Sequence, residues 1–245
     1  MGTRKRLDLL LVERQLAASR EESRGRILAG DVLVDDRPVT KAGTFVAMDA
    51  AIRLRAMPLA YASRGGAKLE KALQEFHVDV VGKTALDVGA STGGFTDCLL
   101  SHGAARVFAV DVGYGQLAWK LRNDNRVLVF EKTNIRYLQV SALPAAADLA
   151  TIDVSFISLK LILSQVQSLL VPQGEIIALI KPQFEVGRGK VGKGGVVRSH
   201  EEHLRVIDEV RAAGEQLGFT VRGVTESPLL GPKGNKEFLI HLTQN

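Results

Sequence analysis

The sequence predicts an α/β fold: a mostly parallel sheet wrapped by helices, with a small α+β module in front of it. Three observations predict it. Short apolar β-type runs recur from residue 84 onward, with helical patterns between most of them. One of these runs, Ala85 to Val88, ends in a small-residue loop, Gly89-Ala90-Ser91-Thr92-Gly93-Gly94, that opens a helix at Phe95. Strand, glycine loop and helix in that order form a nucleotide-type binding unit. Third, residues 7–54 read as two short helices followed by short alternating runs, the pattern of a separate module.

The 245 residues, 46% of them hydrophobic, suffice for one large core and a small domain. A single cysteine, Cys98, excludes a disulfide framework and suits a reducing cytoplasm. The basic start is not followed by the apolar core of a signal peptide. No window reaches the ~18 apolar residues of a spanning helix. The net charge is +5, and residues 1–64 carry 12 Lys and Arg against 8 Asp and Glu, so +4 of it lies in the first quarter. A basic first module points to a polyanionic partner.

In chain order, Leu7, Leu10 and Leu11 give a first helix. Ser19 and Glu22 make a capping box for a second helix that Gly30 stops. Val32 to Val39 alternates around a polar turn, and Ala51 to Leu54 adds a strand. The first module spans residues 1–56, a linker 57–63, and the second domain 64–245. Leu69, Ala72, Leu73 and Phe76 form a helical stripe with Lys68 in its first turn. That end of a helix disfavours a cation, a hint that another group fixes Lys68 there, though a solvated lysine is the commoner reading of this feature alone. Val107 to Val110 is the next strand, Gly115 to Arg122 a helix, Arg126 to Phe130 a strand. Asp148 to Asp153 is a fourth strand, Ser158 to Leu170 a helix, and Gly174 to Ile180 a buried strand. Gly187 to Ser199 is a Gly/Lys/Arg loop. Ser199 caps a helix running to Leu217, on whose surface His200 and His203 lie without a third metal ligand. Thr220 to Thr225 and Lys236 to Leu242 close the sheet as a hairpin, with the last strand antiparallel.

The glycine loop matches neither G-x-x-x-x-G-K-[ST] nor G-x-G-x-x-G. Asp87 precedes its first glycine and would repel a pyrophosphate. It would attract a cationic ligand, and S-adenosylmethionine, with its ammonium and sulfonium, is one. The candidate cofactor-binding residues are Asp87, Gly89, Ala90, Ser91, Gly93 and Gly94. Asp111, at the next strand end, is placed for ribose hydroxyls. Asn134, after the third strand, would border an adenine. Asp153 and Lys181 also stand at strand ends, where a buried pair would be an ion pair at the crevice.

Two resemblances sharpen this. The pattern RLDLLLVERQLAASREESRGRILAGDVLVDDRPV resembles the alpha-L RNA-binding domain found in a ribosomal small-subunit protein and in rRNA-modifying enzymes. It implies phosphate contacts from Arg20, Arg24 and Arg26, with Arg4, Lys5 and Arg6 nearby and Arg64 at the start of the second domain. The remainder resembles the FtsJ-like ribose methyltransferases, whose signature is a Lys-Asp-Lys-Glu tetrad. The matching positions are Lys68 in RGGAKL, Asp153 in IDVSF, Lys181 in IKPQFE and Glu237 in GNKEF. With an RNA-binding module in front, the chain is similar to the TlyA family, once labelled haemolysin-like. Gly194 to Arg198 also looks like that family's loop, although Ser199 stands where an acid is expected.

The resemblance implies a Rossmann-like S-adenosylmethionine-dependent methyltransferase sheet and methyl transfer to a cytidine 2′-hydroxyl of rRNA within ribosomal subunits. The large-subunit 23S is favoured over 16S, because shorter members tend to act on 23S alone. A monomeric, cytoplasmic protein without membrane association is expected. In this chemistry Lys181 is the expected base, Asp153 orients it and borders the methyl group, and Lys68 and Glu237 hold the ribose and Lys181. Desolvation or a neighbouring cation helps a lysine shed its proton, and a neighbouring carboxylate opposes this. Two rivals from other classes are a non-catalytic ribosome-binding factor, which needs no tetrad, and a membrane-active haemolysin, which needs a membrane-directed segment.

Overall fold

The structure is a computed structural model that describes residues 3–17, 19–54, 60–187, 191–192 and 194–244. The expected linker at 57–63 falls partly on 55–59, and the Gly/Lys/Arg loop partly on 188–190 and 193; these positions lie outside the described residues.

The first module contains β1 (Arg4–Arg6), α1 (Leu7–Glu13), α2 (Arg20–Leu28), β2 (Val32–Val34), β3 (Arg37–Pro38), β4 (Phe45–Ala47) and β5 (Ile52–Leu54). Its core is Leu7, Leu10 and Leu11 from α1 with Ile27, Val32 and Val46. The cap on α2 forms as the sequence predicts: Ser19 Oγ accepts from the Glu22 amide at 3.1 Å. Gly30, at φ +74°, ends the helix in the left-handed region. β2 pairs antiparallel with β3 and β5. The pairing of β1 with β4 was not foreseen. Three consecutive basic residues show no apolar alternation, so periodicity cannot reveal that strand.

The second unit contains α3 (Gly65–Phe76), β6 (Thr84–Val88), α4 (Gly94–Ser101), β7 (Arg106–Val110), α5 (Trp119–Arg122), β8 (Val127–Phe130), β9 (Ala147–Ile152), α6 (Leu163–Gln167), β10 (Leu170–Ile180), α7 (Pro182–Glu185), α8 (His200–Gln216), β11 (Phe219–Glu226) and β12 (Phe238–Gln244). Seven strands form one sheet in the order β11-β12-β10-β9-β6-β7-β8. β6 to β10 run parallel, and β12 is antiparallel to both β10 and β11. Strand residues alternate between two cores. Leu86, Val88, Phe108 and Val110 pack on one face, and Ala85, Val107 and Ala109 on the other. Such two-sided burial is why these strands read as continuous apolar runs.

Two expected helices are shorter than the sequence suggests. Only Trp119–Arg122 of the 115–122 stretch is helical. Gly115 sits at φ +67° and its amide is held by the Glu131 carboxylate at 2.8 Å, which keeps the preceding segment a loop. The stretch 158–170 breaks into a 3₁₀ turn, Leu159–Leu161, and α6, while Leu170 already belongs to β10. The pairing of β10 with β9 is irregular between Leu170 and Glu175, with Gln173 at φ +68°.

The chain leaves β6 toward β7 and β8, then returns to β9 on the other side. The switch point therefore lies between β6 and β9, where open α/β sheets bind ligands beyond their carboxyl ends. Because β12 is antiparallel, its amino end shares this edge: Phe238 stands opposite Ile180. That register brings Glu237 next to Lys181, 56 positions away in sequence.

Candidate active site at the carboxyl edge of the sheet

The four tetrad residues converge on this edge as two ion pairs. Lys68 Nζ lies 2.6 Å from Glu237 Oε2, with side-chain exposures of 12% and 0%. Lys181 Nζ lies 2.5 Å from Asp153 Oδ1 and 3.1 Å from Ser155 Oγ. α3 buries Leu69, Ala72 and Leu73 against the sheet. This anchoring projects Lys68 toward the edge, and Glu237 is the group that holds it in a first helical turn. Burial pushes the Asp153 carboxyl up, but the Lys181 and Lys68 cations outweigh burial and leave it below its ordinary value. Glu237 Oε1 is buried without a partner among the described residues. A buried, unpaired carboxylate oxygen is costly, so this atom is a ready acceptor for a hydroxyl donor.

The glycine loop lies against the same edge. Gly89, at φ +86°, passes so close to β9 that a Cβ on it would meet the Asp153 carbonyl at 2.5 Å. The Gly89 and Ala90 amides donate to the Val110 carbonyl, and the Ser91 amide donates to Asp111 Oδ2 at 2.8 Å. Asp111 Oδ1 accepts from the Gly113 amide at 2.6 Å. Gly93, at φ +94°, leaves room for Leu121, and Gly94 for Ser63. A small cavity opens beside the loop, with Ala109, Leu117 and Val129 as apolar lining and Ser91, Asp111, Gln116 and Glu131 as polar lining.

Ala90, Ser91 and Asp111 are thus brought together, whereas two other expected contacts are not. The sequence reading set the Asp87 carboxylate against a cationic ligand. Asp87 is instead fully buried and turned inward, accepting from Thr96 Oγ1 at 2.6 Å and Thr151 Oγ1 at 3.2 Å. Burial lifts its pKa to about 7, against the lowering effect of those hydroxyls. Asn134 is exposed and lies outside the cavity; its side-chain oxygen accepts from the Arg136 amide at 3.1 Å, as a turn residue does. His203 is buried with Nε2 3.0 Å from the Val197 carbonyl, and His200 is exposed.

In the first module several expected phosphate contacts are engaged internally. Arg6 and Arg20 both bind the buried carboxylate of Asp8, at 2.9 and 3.0 Å. Lys5 pairs with Glu13, Arg26 with Glu22, and Arg4 donates to the Phe45 carbonyl. Arg24 is exposed on α2. Arg64 lies against Gly30, and α2 comes close to the glycine loop, where a Cβ on Gly25 would touch Thr92 at 3.6 Å.

Comparison with known families decides the class. The profile of the FtsJ-like methyltransferases matches residues 61–244, and that of the S4 domain matches residues 5–52. The chain belongs to the TlyA family of FtsJ-like methyltransferases. It is similar to YqxC of Bacillus subtilis, a provisionally named rRNA methyltransferase: 50% identity, covering 98% of this chain and 85% of that one. It is 46% identical to the 16S/23S rRNA (cytidine-2′-O)-methyltransferase TlyA of Mycobacterium tuberculosis, covering 99% of this chain and 91% of that one. Among solved structures, a provisionally named haemolysin from Streptococcus thermophilus superposes with a TM-score of 0.78 at 42% identity, covering 100% of this chain and 90% of that one. As in other FtsJ-like methyltransferases the sheet is mostly parallel with the last strand reversed, and an S4 domain precedes it here.

Several residues of this FtsJ-like site were not singled out from sequence. Gln116 and Glu131 line the cavity; Glu131 follows β8 as Asp111 follows β7, so the strand-end rule could have found it. Phe156 is 90% exposed at φ +66°, its ring 4.9 Å from that of Phe184. An exposed phenylalanine in a left-handed conformation has no sequence signature.

Proposed function

We propose that this methyltransferase uses S-adenosylmethionine to methylate a ribose 2′-hydroxyl of rRNA, on a cytidine, with 23S in the large subunit as its target. The carrying observation is the convergence of Lys68, Asp153, Lys181 and Glu237 as two ion pairs, each with one buried and one partly buried member, at the carboxyl edge of the sheet. In this reading residues 1–56 are the RNA-binding domain, 57–63 the linker and 64–245 the catalytic domain, acting as a cytoplasmic monomer. The activity named for the Mycobacterium relative supports the acceptor and its base, and that name covers both 16S and 23S.

The residues fit the cofactor. The small cavity offers apolar lining for an adenine and Asp111 for ribose hydroxyls, and only a glycine permits the close approach at position 89. When bound, S-adenosylmethionine supplies an electrophilic methyl group. Once its ammonium has passed a proton to solvent, Lys181 takes the proton of the acceptor hydroxyl as the methyl transfers, and Asp153 with Ser155 fixes the direction of its amine. Lys68 and the free oxygen of Glu237 hold the acceptor ribose. Phe156 and Phe184 offer a ring surface on which a base can stack. Arg24, and the outer edges of Arg6 and Arg20, meet phosphate and position the RNA without reading its sequence.

The test is transfer of labelled methyl groups to isolated ribosomal subunits and naked rRNA, followed by mapping of the label. A 2′-O-methylcytidine in 23S is expected. Label in 16S alone would overturn the target, and label on no RNA despite cofactor binding would overturn the acceptor. No described helix is long and apolar enough to cross a membrane. Lysis of erythrocytes by purified protein would nevertheless favour the haemolysin reading.

A further inference from the structure

Asp153 and Lys181 stand on neighbouring strands, and each is followed by its own loop. The loop after β9 is under tension. It carries Phe156 at φ +66° with 90% of its surface exposed, so burial of this residue does not hold the conformation in place. A bulky side chain in the left-handed region is a sparsely populated state that persists only where surroundings impose it. The loop is tied at both ends to one short turn, residues 181–185. At its start Asp153 and Ser155 bind Lys181. At its end Glu185 reaches across from the last residue of α7. Glu185 Oε2 accepts from Ser158 Oγ at 2.6 Å, and Oε1 accepts from the Leu159 amide at 2.8 Å. Glu185 is only 7% exposed, and nothing in the proposed chemistry uses it.

We infer that Glu185 is a positioning residue: it clamps the strained 153–159 loop onto the turn that carries Lys181, and so sets the Asp153–Lys181 pair and the Phe156 ring for the acceptor nucleotide. This rests on the proposed methyl transfer for its catalytic consequence but not for its structural one. Both ties come from residues four apart, Lys181 and Glu185, so the turn grips the loop before and after Phe156. Phe184, between them, supports the ring itself.

The test compares Glu185→Ala, Glu185→Gln and Ser158→Ala with the whole wild-type chain. Two readouts are used: amide hydrogen exchange of residues 153–159 and single-turnover methyl transfer to the rRNA substrate. Glutamine can still accept from the Leu159 amide and donate to Ser158 Oγ. The expected result is exchange at Leu159 faster by at least about tenfold in Glu185→Ala, with exchange in β6 and β7 unchanged. Transfer falls about 10- to 100-fold, the loss that follows from a misplaced constellation. Cofactor affinity stays within about threefold, and Glu185→Gln restores at least a third of the rate, as a positioning role requires. Should Glu185→Ala not fold, Ser158→Ala removes one tie and is expected to show both effects at smaller size. Unchanged exchange at 153–159 in a folded Glu185→Ala or Ser158→Ala overturns the clamp, and faster exchange with an unchanged transfer rate overturns its positioning role. Failure of the wild type to label any RNA overturns the proposed function instead, and the exchange data still decide whether the loop is clamped.

Discussion

Two regions of the molecule bury a carboxylate among cations, with different results. In the S4 domain Asp8 is fully buried, and Arg6 and Arg20 reach it from solvent with side-chain exposures of 36% and 53%. Arg6 chiefly, with Arg20, holds the Asp8 carboxyl down at about 2 against the effect of burial. Two cations share one acid, so the cluster keeps positive charge at the surface. At the carboxyl edge of the sheet two lysines meet two acids, and the pairs Lys68–Glu237 and Lys181–Asp153 are mostly shielded from solvent, Asp153 the least at 22%. There the charges balance, and the pairing orients groups instead of offering a surface. Asp87 is the contrast to both: a buried acid with no cation among its partners, pushed up to about 7. Burial of a carboxylate is thus not itself a functional mark; what decides is the number of cations it meets and their access to solvent.

Breaking each cluster should separate these roles. Glu237→Gln leaves the charge of Lys68 unpaired, and single-turnover methyl transfer is expected to fall by roughly 100-fold or more, with a loss of about 3 kcal/mol in thermal unfolding. Asp8→Ala should leave the transfer step itself unchanged. It leaves two arginines that can turn to solvent, so thermal unfolding should show a loss of about 2 kcal/mol, below the usual range for a fully buried pair. Its pH dependence follows from the lowered Asp8 value: the contribution is present above about 4, the ordinary carboxylate range, and disappears as pH falls toward 2. Arg24→Ala should weaken rRNA binding a few-fold for all sequences and lower the salt slope by about one, measured by titration at several salt concentrations. A pH effect of opposite sign is expected at Asp87. Its raised value makes the protonated form the stable one, so its contribution is present below about 4 and is lost as pH rises through about 7. Asp87→Asn should flatten the melting temperature across that interval, and an unaltered slope would show that Asp87 does not titrate there.

Much of this was legible in the chain. The succession of strands along the chain and the reversed final strand follow from apolar runs and turn residues, and the strand-end rule finds Asp111, Asp153 and Lys181 without any contact map. Lys68 was marked by the resemblance in RGGAKL, since its place in a first helical turn alone reads as a solvated lysine; its partner is Glu237. The inward turn of Asp87 was not legible, because it depends on Thr96 and Thr151, hydroxyls from two other elements. Nor was the internal use of Arg6 and Arg20, since a basic run looks the same whether it faces solvent or a buried acid. The helices at 115–122 and 158–170 were overread for a similar reason: Glu131 and Glu185 take backbone amides there, and such long-range caps leave no periodic trace.

In the proposed function the two ion pairs at the carboxyl edge form the catalytic centre, with Lys181 as the base. Single-turnover methyl transfer by Lys181→Ala, measured beside calorimetric cofactor binding, tests it most directly. The account predicts cofactor affinity within about threefold of wild type and a transfer rate lower by roughly 10²- to 10⁴-fold, the usual contribution of a positioned base. A folded Lys181→Ala protein that binds the cofactor and methylates rRNA at the wild-type rate would contradict it.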